Sequence, residues 1–322
     1  MTMANSVMSN HLKGMLTVKS GINAPIALFV YNRPWHIQQT VEALQKNVLA
    51  AESDLFIFSD ASKTPETSSA VEEVRNYIKT IHGFKSVNII EREKNFGLAA
   101  SIISGVTQVC AEYGKIIVLE DDLVTSLYFL KFMNDALNFY QHEERVISIH
   151  GYMYPVVEKL PSTFFLRGAD CWGWATWKRG WDLFDVDSER LLKQVRHLGL
   201  KKEFNYDNAY NLTAMLVSEI RKKVDSWAIR WYASAFLQNK LTLYPGKSLI
   251  LNIGNDGSGT HCEVTDTYSG EVEKRPVDID IVPIEENIRA RSCVINYLKT
   301  NKAPLSRRLT SKAAKCWKRL WS

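Results

Sequence analysis

Three adjacent carboxylates, Glu120, Asp121 and Asp122, follow a short, fully apolar run of the sequence. Like charges at this spacing repel one another unless a hard cation neutralises them, and Mg²⁺ or Mn²⁺ takes oxygen ligands of this kind. Such a cation could also hold a diphosphate. Acids at this position could instead favour the start of the next helix through its dipole. Metal binding and helix capping are therefore both open, and the position after an apolar run favours metal binding.

The chain alternates short apolar runs with helical patterns. The runs predict strands, and the patterns between them predict helices. This alternation is typical of an α/β protein with a parallel, doubly wound sheet. Ligands of such sheets bind beyond the carboxyl ends of the strands. The predicted strands are 24–30, 54–60, 87–91 and 115–120, and the predicted helices are 35–49, 70–82, 98–113 and 126–140.

Polar residues also stand at the carboxyl ends of the other predicted strands. Asn32 and Arg33 follow the first strand, and Asp60 ends the second. Lys94 and Asn95 follow the third strand. The chain has no glycine-rich dinucleotide fingerprint after the first strand and no Walker sequence, which removes the main support for NAD or ATP binding. The sequence therefore predicts a different phosphate-handling chemistry at this edge of the sheet.

Together these segments resemble the GT-A nucleotide-sugar glycosyltransferases. The resemblance is to the inverting bacterial sugar transferases and to the eukaryotic Golgi N-acetylglucosaminyltransferase that begins complex N-glycans. It extends over 24–262, and 119–123 is its closest part, similar to the metal motif of the family. The resemblance implies a GT-A fold, which is a Rossmann-like, doubly wound and mostly parallel sheet. It also implies Mn²⁺ or Mg²⁺ as cofactor and a nucleotide-sugar donor.

The resemblance gives each strand-end residue a role in binding the nucleotide. Asn32 and Arg33 match the first nucleotide-contacting loop, with Arg33 facing the diphosphate. Asp60 matches an aspartate that accepts a hydrogen bond from uracil, which favours a UDP-sugar. Lys94 and Asn95 match the segment that closes over the base.

The resemblance also divides the acidic cluster by function. It makes Asp122 the direct metal ligand, Asp121 a contact to the ribose or to a metal-bound water, and Glu120 a contact to the donor sugar. His261 ends a glycine-bearing loop and matches the place of a late histidine near the diphosphate or metal. A single histidine is more often a surface or core residue, so that alternative stays open.

On the acceptor side, the segment 170–174 is similar to a glycine-containing loop of the family. Gly173 would let the backbone approach the donor sugar. Trp172, Trp174 and Trp227 would line an acceptor groove, because aromatic rings stack on the C–H faces of sugars. Packing in the core is the alternative for these tryptophans.

Asp225 precedes a helical pattern at 228–238 and resembles the catalytic base of the family. An inverting transfer is a single displacement, so one carboxylate must deprotonate the acceptor hydroxyl as it attacks the anomeric carbon. A cation then stabilises the departing diphosphate. The alternative is that Asp225 only caps the helix.

The C-terminal segment carries the excess positive charge of the chain. The net charge is +5, and 299–322 contains eight basic residues and no acid, so the remainder carries −3. Apolar residues recur there at steps of three and four, as in an amphipathic helix on an anionic membrane surface. Docking of this helix on the protein's own core is the alternative. An acidic body argues against a nucleic-acid partner.

These observations predict four segments: an N-terminal extension 1–23, a catalytic domain 24–265, a linker and helix 266–298, and a basic amphipathic tail 299–322. The catalytic domain would have a nucleotide-binding half, 24–123, and an acceptor half, 124–265, for a saccharide or lipid-linked saccharide.

The composition predicts a cytoplasmic protein at the inner face of the cytoplasmic membrane. The five cysteines are scattered and never form a Cys-x-x-Cys pair, and the chain has no signal-peptide or membrane-spanning stretch. A sugar nucleotidyltransferase is disfavoured, because it would carry a glycine-rich, lysine-bearing loop near the first strand. A catalytically silent carbohydrate-binding protein with the same fold is the other alternative.

Overall fold

The computed structural model describes residues 23–258, 265 and 267–301. An eight-stranded sheet has the strand order β3-β2-β1-β4-β8-β6-β9-β7, and β5 pairs with β10 in a small antiparallel sheet. Six strands of the large sheet run in one direction, which confirms the mostly parallel α/β architecture. The strands are β1 Ile26–Val30, β2 Asp54–Ser59, β3 Ser86–Glu91, β4 Lys115–Glu120, β5 Leu123–Thr125, β6 Val146–His150, β7 Thr163–Arg167, β8 Trp174–Trp177, β9 Leu241–Pro245 and β10 Ile250–Asn252.

Helices connect the parallel strands and cover the sheet. The helices are α1 Pro34–Gln45, α2 Pro65–Ile78, α3 Leu98–Tyr113, α4 Phe129–Phe139, α5 Lys178–Trp181, α6 Ser188–His197, α7 Lys201–Phe204, α8 Leu212–Ile220, α9 Trp227–Leu237 and α10 Ile288–Thr300. Within the described part of the chain, no helix is long and apolar enough to cross a membrane.

Local sequence signals explain where several helices begin and end. Both α1 and α2 begin with a proline, whose fixed φ suits the first helical turn. Thr64 and Thr67 cap α2 reciprocally, which moves its start five residues before the predicted Ala70. Gly114 ends α3 with a φ of +74°, a backbone conformation that glycine adopts without strain.

The first four strands form the switch point of the sheet. β1 pairs with β2 on one side and with β4 on the other, so the chain first builds outward to β3 and then returns across β1. All five residues of β1 are buried, as expected of a central parallel strand covered on both faces. The crevice beyond the carboxyl ends of β1 and β4 is where doubly wound sheets bind ligands.

The second half of the chain extends the same sheet. β8 inserts antiparallel between β4 and β6, β9 runs parallel to β6, and β7 forms the antiparallel edge. The sequence pattern did not predict these later strands. A helix, α10, begins within the predicted linker-and-helix segment 266–298, and none of the described residues between 253 and 287 belongs to a helix or strand. The basic residues from 302 onward and the tail that they define lie outside the described part of the chain.

Candidate active site

An ion-pair cluster occupies the crevice at the switch point. Arg33, just after β1, donates through Nη2 to Oδ1 of Asp121 and, at 2.9 Å, to Oδ2 of Asp122, both just after β4. The two carboxylates are buried and the Arg33 side chain is mostly buried. Thr40 of α1 donates its hydroxyl to the backbone oxygen of Asp121 at 2.8 Å and fixes the end of the strand. The structure thus brings together residues that sequence reasoning placed at two different strand ends.

The charges in this cluster shift one another's pKa values. Burial raises the pKa of Asp121 to about 6, against the opposing effect of Arg33. Burial and the charges of Asp122 and Asp121 raise the pKa of Glu120 to about 8. Burial alone would lower the pKa of Arg33, but its two carboxylate partners raise it. The cluster therefore has an excess of buried negative charge that favours a further cation.

A loop after β10 packs directly onto the acidic cluster. The amide of Ile253 donates to the backbone oxygen of Asp122 at 2.9 Å. A Cβ at Gly254 would stand 2.0 Å from Oδ2 of Asp122 and 3.0 Å from Nη1 of Arg33, so a larger residue would displace the loop or the ion pair. Asp256 then reaches His36 of α1, with Oδ2 3.1 Å from Nε2. Sequence reasoning missed Gly254, which the pairing of β5 with β10 brings to the site, and His36, which the same loop contacts through Asp256.

The carboxylates of the cluster suit a divalent cation that is shared with a ligand. Within residues 23–258, 265 and 267–301 there is no group of three or more side chains that could hold a metal by themselves. Arg33 occupies one oxygen of Asp121 and one of Asp122, and the second oxygen of each accepts no other hydrogen bond among the described residues. Mg²⁺ is commonly held by one or two carboxylates together with substrate phosphates. Asp122 and Asp121 are the residues that fit this arrangement. His261 lies outside the described residues.

Asp60 organises the loop beside the cluster. Its Oδ1 accepts from the amides of Ala61 and Phe96, each at 2.9 Å. Its Oδ2 accepts from the amide of Gly97 at 2.9 Å and from Nδ2 of Asn95 at 3.1 Å. Asp60 and Asn95, both predicted at this edge of the sheet, are therefore in contact. The hydrogen bonds of Asp60 connect the end of β2 to the start of α3.

The remaining residues predicted to bind the nucleotide lie at the surface of the same edge. Asn32 is half-buried in the turn between β1 and α1. Lys94 is exposed in the loop before α3. Their predicted contacts with the nucleotide stay predictions.

The three tryptophans predicted for the acceptor groove differ in burial. Trp174 is 0% exposed and stacks on Trp227, which is 2% exposed, with ring centroids 5.4 Å apart. Both belong to the core under the sheet, so the prediction that they line an open groove is wrong. Trp172 is half-buried and remains at the surface of the site.

Gly173 is required for packing. Its φ is +62°, and a Cβ there would stand 2.6 Å from Cδ1 of Ile250. The crowding comes from β10 and from Phe129 of α4. A role in approaching the donor sugar stays a prediction.

Asp225 lies in the turn before α9. Its side chain is 64% exposed and accepts from Nη2 of Arg230 at 2.9 Å. Ser226 is the residue that caps α9, because its hydroxyl accepts from the amide of Ile229. The alternative role of Asp225 as the helix cap is therefore wrong, and its role as a base stays a prediction.

The sheet order and the Arg33 cluster at the switch point are consistent with the GT-A class of Rossmann-like α/β domains. Residues 26–161 match the family model described as Glycosyl transferase family 2. This match covers β1 to β6 and includes the whole Arg33 cluster. That part of the chain is therefore similar to glycosyltransferase family 2. No curated protein sequence matches the chain.

Three solved structures are similar to parts of this chain, each at low identity and with a TM-score below 0.5. The S. aureus TarS crystal structure is 16% identical, with 72% of this chain and 37% of that chain covered and a TM-score of 0.38. S. aureus TarS 1-349 in complex with UDP is 19% identical, with 46% and 41% covered and a TM-score of 0.29. The mannosyltransferase PcManGT from Pyrobaculum calidifontis, in complex with GDP-Man and Mn²⁺, is 12% identical, with 46% and 42% covered and a TM-score of 0.29. The chain thus spans well under half the length of these proteins.

Proposed function

We propose that the protein is a metal-dependent, inverting glycosyltransferase. Its donor is a nucleotide diphosphate sugar, for which we propose a UDP-sugar, and its acceptor is a saccharide or lipid-linked saccharide of a surface polysaccharide or lipopolysaccharide. The observation that carries the proposal is the Arg33–Asp121–Asp122 cluster at the switch point, inside the region that matches the family model. The likeness to Golgi N-acetylglucosaminyltransferase stays a prediction.

Arg33 supplies the positive charge that a diphosphate requires. Its Nη1 is buried and has no hydrogen-bond partner in the described part of the chain. This donor is available to a phosphate oxygen, and a guanidinium makes charge-assisted bonds to phosphate. When bound at Asp122, Mn²⁺ or Mg²⁺ supplies Lewis-acid stabilisation of the diphosphate leaving group. The Asp60 network holds the neighbouring loop rigid, where Lys94 and Asn95 can face the base.

Asp225 is our proposed base for the acceptor hydroxyl. Its high exposure leaves the carboxylate accessible, and Arg230 fixes its orientation through a bond to Oδ1. Glu219 holds the same turn by accepting from the amide of Ser226 at 2.7 Å. A carboxylate on a fixed turn can take the proton as the hydroxyl attacks the anomeric carbon.

The test measures binding and hydrolysis of a panel of UDP- and GDP-sugars, each with Mn²⁺ and with a chelator. We expect Mn²⁺-dependent turnover of one UDP-sugar. Asp122→Asn should remove the metal-dependent part of donor binding, whereas Asp225→Asn should keep binding and lose transfer. Asp182→Asn, at an exposed position just after α5, is the matched control. If no nucleotide sugar binds under either condition, the proposed function is wrong and a carbohydrate-binding role takes its place.

The basic C-terminal segment is our proposed contact with an anionic membrane surface, where a lipid-linked acceptor would be presented. The proposal rests on its sequence alone, with eight basic residues and no acid among 299–322. A chain truncated before Leu305 should lose binding to phosphatidylglycerol vesicles and keep donor hydrolysis. Vesicle binding that survives the truncation would place the contact elsewhere.

A further inference from the structure

A carboxylate outside the acidic cluster is held at the same edge of the sheet. Asp170 is half-buried in the segment between β7 and β8. Its Oδ2 accepts from the hydroxyl of Tyr244, near the end of β9, at 2.9 Å. Its Oδ1 accepts no hydrogen bond from any described residue. One oxygen therefore fixes the side chain, and the other is left to a ligand.

A cluster of aromatic rings lies beside this carboxylate. Trp172 packs edge-on against Tyr152 at 4.8 Å and against Tyr268 at 5.4 Å between ring centroids. Tyr154 packs on Tyr152 at 5.4 Å. Tyr152 is buried, whereas Trp172, Tyr154 and Tyr268 are only half-buried. The Tyr244 ring, whose hydroxyl bonds Asp170, packs on His150 at 4.9 Å, and His150 packs on Tyr152 at 6.2 Å between ring centroids, which connects the carboxylate to these rings.

Hydrogen bonds from several elements hold the rings in place. The hydroxyl of Tyr152 donates to the backbone oxygen of Tyr268 at 3.1 Å, and the hydroxyl of Tyr297 in α10 donates to that of Thr267. The amide of Trp172 donates to Nε2 of the buried His150 at 3.1 Å. The aromatic surface is therefore built from the segment after β6, the segment before β8, α10 and residues 267–268.

This surface adjoins the acidic cluster. β8 begins at Trp174, which lies opposite Val118 of β4 and His150 of β6. The thiol of Cys171 has a raised pKa, caused by burial and then by the charges of Asp170, Glu120 and Asp122. Cys171 thus lies within electrostatic range of both carboxylate groups. A ligand on the Asp170 surface would sit beside a diphosphate bound at the cluster.

We propose that Asp170, Trp172, Tyr154 and Tyr268 form a subsite for a neutral pyranose ring. Aromatic rings pack on the C–H face of a sugar, and a carboxylate oxygen accepts strong hydrogen bonds from its hydroxyls. Few precisely placed polar groups among aromatic side chains are typical of such binding sites. The negative charge of Asp170 would repel a uronic acid, which favours neutral sugars.

The subsite deepens the proposed function and rests on it for its biological meaning. The pyranose can come from the donor or from the acceptor, because both carry the same chemistry. Two sets of probes separate these sources. UDP, UDP-glucose and UDP-N-acetylglucosamine form the donor set, and methyl β-D-glucoside and methyl β-D-N-acetylglucosaminide, added with saturating UDP, form the acceptor set. Calorimetry measures the UDP compounds, and saturation-transfer NMR measures the glycosides.

We expect Asp170→Asn and Trp172→Ala to weaken one set by about tenfold or more and to leave UDP itself unchanged. Weaker binding of UDP-sugars assigns the ring to the donor, and weaker binding of the glycosides assigns it to the acceptor. Tyr244→Phe keeps its ring but removes the hydrogen bond that orients Asp170, so it should weaken the same set. Asp182→Asn is the control for an exposed carboxylate, and thermal melting checks that each variant folds.

Two outcomes would overturn the subsite. One is that Asp170→Asn and Trp172→Ala leave both sets of probes within about twofold of the wild type, well below the loss expected for a hydrogen bond to a charged group. The other is that the wild type binds no glycoside and binds UDP-sugars no more tightly than UDP. Binding of glycosides without any binding of UDP compounds would instead contradict the proposed function and support the subsite.

Discussion

Arg33, Asp121 and Asp122 form the cluster that residue types and strand ends predicted most directly. Polar groups after neighbouring parallel strands must meet at one edge of the sheet, so their proximity follows from the strand pattern. Burial of a side chain does not follow in the same way. The sequence does not show whether Trp174 and Trp227 lie in a groove or in the core, because their burial depends on stacking partners distant in the chain. Asp170 was missed for the same reason, since Tyr244 fixes it from 74 residues away.

At the residue scale, removing Arg33 should cost much more stability than removing an exposed arginine. Arg33→Met leaves two buried carboxylates without their counter-charge, and we expect a loss of about 3 kcal/mol or more in the free energy of unfolding. Arg190→Met is the matched control, because Arg190 pairs with Asp185 while 58% of its side chain is exposed. That change should cost less than about 1 kcal/mol. Equal losses in urea unfolding would show that the Arg33 pair contributes no more than a surface pair.

At the element scale, the parallel half of the sheet was predictable and the mixed half was not. β1 to β4 are separated by amphipathic helices, which gives the alternating pattern its clarity. β8 has only four residues and lies between β4 and β6, so its position depends on pairings across the chain. The pairing of β5 with β10 is equally nonlocal, yet it brings Gly254 onto the acidic cluster.

The loop after β10 should therefore be sensitive to a single methyl group. Gly254→Ala places a Cβ within 2.0 Å of the Asp122 carboxylate, so either the loop or the carboxylate must move. We expect UDP affinity in the presence of Mn²⁺ to fall by about tenfold, as for a lost charge-assisted contact. Gly270→Ala is the control, because among the described residues its Cβ would meet Pro155 alone, at 3.1 Å. Wild-type affinity in Gly254→Ala, measured by calorimetry, would mean that this loop does not shape the site.

At the scale of the whole molecule, one sheet joins the region that matches the family model to the rest of the chain. β7, β8 and β9 lie outside residues 26–161 but pair with strands inside that range or with one another. His150 ends β6 within this continuous sheet and is buried among Tyr152, Tyr244 and the Trp172 backbone. Its environment therefore reports on the folding of the whole sheet.

The global stability should depend on pH through His150. Burial lowers its pKa from 6.5 to about 4, against a smaller opposing effect of Asp170. Below pH 6.5 the unfolded chain binds a proton that the folded chain does not, so stability is lost as the pH falls from 6.5 to about 4. His150→Gln, whose side-chain oxygen can accept from the Trp172 amide, should remove this loss.

Urea unfolding at a series of pH values tests the prediction. The measured quantity is the difference in the free energy of unfolding between the wild type and His150→Gln. Relative to its value at pH 8, this difference should shift by about 3 kcal/mol in favour of the variant by pH 4. His142→Gln, at an exposed position, should track the wild type throughout. A difference that stays constant from pH 8 to pH 4 would mean that the folded protein protonates His150 as readily as the unfolded chain does, which its full burial at the end of β6 should prevent.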